Sequence, residues 1–123
     1  MTQNFIIPGK LDGLNQIINA NRQNRYYGAN LKKKNEEIVI ASIVAFSIKP
    51  ASDPVFLKFH WYEPNRKRDM DNIASAKKMI LDALVKAGTL KDDGWNYILG
   101  FEDSFHIDKE NPRVEVSIIT KAQ

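Results

Sequence analysis

The stretch Arg66–Asp93, which reads RKRDMDNIASAKKMILDALVKAGTLKDD, governs the organisation of the whole chain. It opens on three basic residues and then Asp69 and Asp71, separated only by Met70. A helical pattern follows, and the stretch closes on Asp92-Asp93. A helix of about fifteen residues is roughly 22 Å long at 1.5 Å per residue, so its ends cannot share a site unless the chain turns back. Gly88 supplies the stop, and Asp93-Gly94 is a turn dipeptide able to start the return. Carboxylates at both ends of one helix, beside Arg66, Lys67 and Arg68, point to a magnesium site built next to a phosphate-binding surface.

The other limits come from length, charge and missing residue types. At 123 residues the expectation is one domain, residues 1–123, with a core that needs no staples. There is no Cys, which excludes disulfides and thiolate metal sites, and His60 and His106 are too few for a zinc cluster. No apolar run approaches the ~18–20 residues of a membrane span, and no signal-peptide pattern opens the chain. A soluble, cytoplasmic protein without a membrane partner is expected. The net charge of +3 matters less than its distribution. Arg22, Arg25, Lys32, Lys33 and Lys34 form one basic cluster and Arg66–Arg68 a second, while the acids gather in Asp69–Asp93 and Glu102–Glu110. Clustered cations on a basic chain are the footprint of nucleic-acid binding, although each cluster alone also suits a solvated face.

Along the chain, Asn4–Ile7 reads as an edge strand before Pro8-Gly9. Asp12 is placed to cap a helix starting near Leu14, with Leu14, Ile17 and Ile18 inward. Gly28 weakens a continuous helix through Asn21–Asn30. Leu31–Lys49 has helical spacing; its β-branched second half also suits a strand, and helix is the preferred reading. Val55–Glu63 alternates strictly and predicts a strand with one dry face. Trp95–Phe101 and Arg113–Thr120 complete the sheet, with Asp103–Pro112 a polar connection. No regular βαβ alternation is present, so the fold class is α+β, with a small mixed or antiparallel sheet and two or three helices.

Each candidate has an ordinary role beside its chemical one. Asp69 or Asp71 would serve as a helix N-cap, but one cap leaves the other acid surplus. Two carboxylates this close repel unless a cation lies between them. Asp92 and Asp93 suit a turn, and Asn72 suits either the helix start or the support of a carboxylate. At about 100° per residue, Ile73, Ala76, Ile80, Leu84 and Ala87 form the core face, while Asp71, Ser75, Lys78 and Asp82 lie opposite. Leu81 and Val85 widen the apolar area, which fits a dimer contact as well as burial. Lys78 is a surface partner of Asp82 or stabilises charge on a phosphate; Lys77, at the edge of the apolar arc, is placed to pack. Tyr26, Tyr27 and Trp61 are core aromatics or base-stacking residues.

The order RDxDN, a helix carrying Lys and DAL, a Gly and a DD pair resembles the RusA family of Holliday-junction resolvases, most closely the RusA-like proteins of Gram-positive phages and prophages. The segment IIPGKLDGLNQIINANRQNRYYGANLKKK fits the same family. The resemblance implies a homodimer acting on four-way junction DNA with Mg2+ (Mn2+ standing in), and no organic cofactor. It makes Asp69, Asp71 and Asp93 metal ligands and Lys78 the catalytic lysine, displaced here by about one helical turn. Arg66, Lys67 and Arg68 would meet the phosphodiester, and Asn15, Arg22, Arg25, Lys32 and Lys33 the outer backbone. The expected activity is an endodeoxyribonuclease of DNA recombination and repair, using metal-activated water. Two other classes stand beside it: a non-catalytic branched-DNA-binding module, and a nucleotide-sugar transferase with Asp69-Met70-Asp71 as its metal motif. The second has no room for another substrate site and leaves the basic clusters unexplained.

Overall fold

A computed structural model describes residues 1–120. The chain runs β1 (Thr2–Pro8), α1 (Leu14–Gln23), α2 (Arg25–Ala45), β2 (Val55–Glu63), α3 (Met70–Ala74), α4 (Lys77–Lys86), β3 (Ile98–Ile107) and β4 (Arg113–Thr120). The four strands form one mixed sheet in the order β1-β4-β2-β3. Strand β4 is antiparallel to both β1 and β2, whereas β2 and β3 are parallel. The fold is therefore α+β, and Arg66–Asp93 lies in the crossover that parallel pairing of β2 and β3 requires.

The dry face of the sheet is written in the alternation of its strands. Phe5 and Ile7, Val55, Leu57, Phe59 and Trp61, and Val114, Val116 and Ile118 all point inward and are buried. Val39 and Ile43 of α2 and Ile80, Ala83 and Leu84 of α4 complete the core. The opposite face, with Lys58, His60, Tyr62, Ser104, His106 and Arg113, is wetter.

Several expected boundaries move. Gly13 rather than Asp12 stands at the start of α1; Asp12 instead exchanges hydrogen bonds with the Asn35 amide of α2 at 2.9 and 2.8 Å. Leu14 and Ile18 are exposed, and of the three apolar residues expected inward only Ile17 packs on the core. Helix α2 starts at Arg25 and passes straight through Gly28. A Cβ there would come within 1.9 Å of Asn21 Oδ1, so a larger residue requires the exposed Asn21 side chain to swing aside. Strand β3 starts three residues after Trp95, which is fully exposed, and continues through Ile107. Polar Asp103 belongs in that strand because Lys77 and Trp61 both bond to it.

Candidate active site

The crossover does not form one helix. Ser75 Oγ turns back onto the Asn72 carbonyl at 2.5 Å, and the chain tightens through Ser75-Ala76 before α4 begins. The same hydroxyl accepts the Leu14 N–H at 2.8 Å, while Asn72 Oδ1 accepts the Asn15 N–H at 2.9 Å. Helix α1, whose Gly13 has no side chain to cap with, is thus capped by residues of the crossover. Asn72 is buried in this joint and donates to Gln16 as well, so its role is to dock α1. That docking brings Asn15 alongside the acidic segment.

Asp69 occupies the N-cap position of α3, and Asp71 lies in its first turn. Both are exposed, and Asp71 Oδ1 accepts the Asn72 N–H at 2.9 Å. Among the described residues neither carboxylate pairs with a cation. The loop that carries Asp69 is fixed by Arg68, which grips Glu63 at the end of β2 through two hydrogen bonds of 3.0 and 2.7 Å. Arg68 also donates to the Leu11 carbonyl at 2.9 Å. This guanidinium is a structural clamp, not a free phosphate contact; Arg66 and Lys67 are exposed and unpaired among the described residues.

Asp69, Arg66 and Arg68 line a cleft of about 450 Å³ whose other wall is Phe105, His106 and Ile107 at the end of β3. The cleft therefore opens at the carboxyl ends of the two parallel strands, where α/β crossovers leave room for ligands.

The closing acid turns back as expected but meets a different group. Lys78 Nζ lies 3.1 Å from Asp93 Oδ2 and 3.1 Å from Asp82 Oδ1. Hydrogen bonds to Asp82 and then Asp93 raise the Lys78 pKa, so it stays charged at neutral pH. Asp92 is exposed. Lys77, one residue earlier, bonds to Asp103 at 2.7 Å and lies 4.8 Å from the centre of the Phe101 ring and 5.4 Å from that of Phe59. It is the packing lysine of the pair.

The remaining candidates are spread more widely. Arg22 lies in the last turn of α1, and Arg25 opens α2 with its guanidinium over Tyr26. Lys32 and Lys33 are exposed further along α2. Tyr26 and Tyr27 are exposed, but Trp61 is in the core with its indole N–H on Asp103, so it cannot stack on a base. Leu81 is buried within the chain, Val85 is half-buried and Ala87 is exposed, so ordinary packing accounts for the wide apolar arc of α4.

The family model for the endodeoxyribonuclease RusA matches residues 11–119, nearly the whole chain. The chain belongs to the RusA family. No curated protein matches it significantly. RusA membership makes it a nuclease, a hydrolase that cuts phosphodiesters inside DNA. Asp69 and Asp71 suit the hard divalent cation expected of such a site: both carboxylates are exposed with no competing cation, and Asp69 lines open cleft space for waters and a phosphate. The three-carboxylate set does not assemble, because no three acidic or histidine side chains converge among the described residues and Asp93 faces Lys78. The RusA segment also contains residues that pattern reading missed: Glu63, the anchor of the clamp; Asp103, the partner of Lys77; and His106, on the cleft wall. Strict alternation through β2 could have flagged Glu63, since a fifth inward position that is acidic requires a partner.

Proposed function

We propose that this chain is a magnesium-dependent endonuclease that resolves four-way DNA junctions, acting as a homodimer in recombination and repair. The observation that carries the reading is the unpaired Asp69 on the wall of a cleft edged by Arg66, with Asp71 exposed and unpaired two residues on. Asp69 and Asp71 hold the metal, which when bound lowers the pKa of a coordinated water and offsets charge on the phosphate. Arg66 and Lys67 draw the backbone to the cleft, and the Arg68–Glu63 clamp keeps Asp69 aimed into it. Lys78 supplies positive charge where negative charge builds on the phosphate, and Asp82 and Asp93 hold its ammonium in place. No side-chain nucleophile is called for. Asn15, Arg22, Arg25, Lys32 and Lys33 extend the contact along the arms of the junction.

The test is cleavage of a labelled mobile four-way junction, with linear duplex of the same sequence as control, with and without magnesium. Metal-dependent cutting confined to the junction is expected. Tight junction binding without cutting at any metal concentration would make the chain a non-catalytic branched-DNA module.

A further inference from the structure

The chain's two histidines meet on the wetter face of the sheet. His60 and Ser104 are cross-strand partners on β2 and β3, and so are Tyr62 and His106. Ser104 Oγ lies 2.6 Å from His60 Nδ1 and 3.1 Å from His106 Nε2. Tyr62 stacks on His106 with ring centres 4.6 Å apart, and Arg113 of β4 lies 3.8 Å from the centre of the Tyr62 ring. An exposed imidazole on an edge strand normally samples several rotamers; this one is held by a ring on its face and a hydroxyl at Nε2. Among the described residues, Nδ1 of His106 has no partner. His106 also lines the cleft opposite Arg66 and Asp69.

A serine hydroxyl has one proton, so it can donate to only one of two imidazoles. If Ser104 donates to His60, then His106 donates Nε2–H to Ser104 and its Nδ1 is a lone pair. If the chain runs the other way, His60 donates Nδ1–H to Ser104, Ser104 donates to His106 Nε2, and His106 carries Nδ1–H. The second arrangement leaves His106, a residue of the cleft wall, with a hydrogen-bond donor at Nδ1. An anionic oxygen there stabilises that arrangement over the first. With Arg68 engaged by Glu63, Arg66 is the one cationic side chain lining the cleft that has no ion-pair partner among the described residues.

We propose that His106 is a DNA-backbone contact of the cleft, donating Nδ1–H to a non-bridging phosphate oxygen, with the His60–Ser104 pair selecting the donor tautomer. The proposal rests on the nuclease reading above. It is tested by titrating a four-way junction oligonucleotide with wild type, His106→Ala, His106→Asn, His106→Gln and Ser104→Ala, in calcium to prevent cutting. An asparagine amide stands near the Nδ1 position and a glutamine amide near Nε2. His106→Ala should weaken binding about tenfold, the scale of one hydrogen bond to a charged group. His106→Asn should recover most of the loss, His106→Gln little, and Ser104→Ala should fall between wild type and His106→Ala. Because His106 is exposed, unchanged thermal melting in the three His106 variants is expected and separates a contact from a folding defect. Junction binding by His106→Ala equal to wild type, or equal recovery by Asn and Gln, overturns the inference alone. Wild type binding the junction no better than linear duplex overturns both it and the junction reading.

Discussion

Lys77 and Lys78 are neighbours with opposite surroundings. Lys77 has an acid at 2.7 Å and two aromatic rings within reach of its ammonium, and it is mostly buried. Lys78 is largely exposed, with its charge held between Asp82 and Asp93. Lys77→Ala should therefore lower stability by about 1–2 kcal/mol, through the lost cation–π contact and an Asp103 left with one partner fewer. Its cleavage rate per folded molecule should stay near wild type. Lys78→Ala should melt like wild type, bind junction normally and turn over at least a hundredfold more slowly, the scale of losing one preorganised charge. Reversal of the two phenotypes would move the catalytic charge to Lys77. The acids divide in the same way. Asp69→Asn and Asp71→Asn should abolish cleavage and raise the magnesium concentration needed for any residual activity. Asp93→Asn should slow turnover while leaving the magnesium midpoint in place, since its carboxylate faces Lys78. A shifted midpoint in Asp93→Asn would return it to the metal. Helical spacing alone separated the two lysines, because 100° of rotation decides which one can reach the core. It could not tell where Asp93 would land, since that depends on the path from Gly88 to β3.

At the level of elements, the joint between α1 and the crossover is what ties the N-terminal third of the chain to the acidic pair. A Cβ on Gly13 would lie 2.3 Å from the Asn72 carbonyl oxygen, a backbone atom that cannot swing aside. Gly13→Ala should push α1 off α3, lowering Tm and weakening junction binding together. Asn72→Ala removes the acceptor of the Asn15 N–H and should cost about 1–2 kcal/mol, or roughly 4–8 °C in Tm. Preserved junction affinity in both variants would show that α1 contacts DNA independently of its docking. The β3–β4 connection carries a second measurable link. Asp108 accepts from Arg113 and from the backbone of Asn111 and Glu110, which holds its carboxyl below the usual range, with Arg113 the main cause. A lowered folded pKa adds stability above the unfolded value, and that stability is lost as pH falls through the folded value. The Tm gap between wild type and Asp108→Asn should hold at neutral pH and close below about pH 4. Strands β2 and β4 were legible because alternation is a local property of strands with one dry face, and β1 because a short apolar run stops at Pro8-Gly9. Two features were not: the break at Ser75-Ala76 and the extension of β3 through Asp103. Both depend on partners distant in sequence, Leu14 for Ser75, and Lys77 and Trp61 for Asp103.

Across the whole molecule, charge is divided between two regions. The acids of the crossover divide between the cleft, where Asp69 lies, and Lys78, which Asp82 and Asp93 hold, while Arg22, Arg25, Lys32 and Lys33 lie on α1 and α2, with no ion-pair partner among the described residues. Unpaired surface cations carry condensed counterion exchange directly into binding, because each phosphate they neutralise releases cations from DNA. Lys86 is the internal control: it is equally exposed on α4 but already paired with Glu36. Replacing Lys32 and Lys33 together by Ala should weaken junction binding and flatten the slope of log affinity against log salt, by about 0.9 per lost contact and so up to about 1.8. Lys86→Ala should leave that slope unchanged while lowering Tm, since Glu36 is buried and would lose its cation. Cleavage at saturating protein should be the same in the Lys32/Lys33 double variant as in wild type, because neither residue adjoins the cleft. A salt slope that survives the double substitution would make this part of α2 an ordinary solvated face. The DNA path would then have to run from the cleft along the β3 edge, past His106, rather than over the helices.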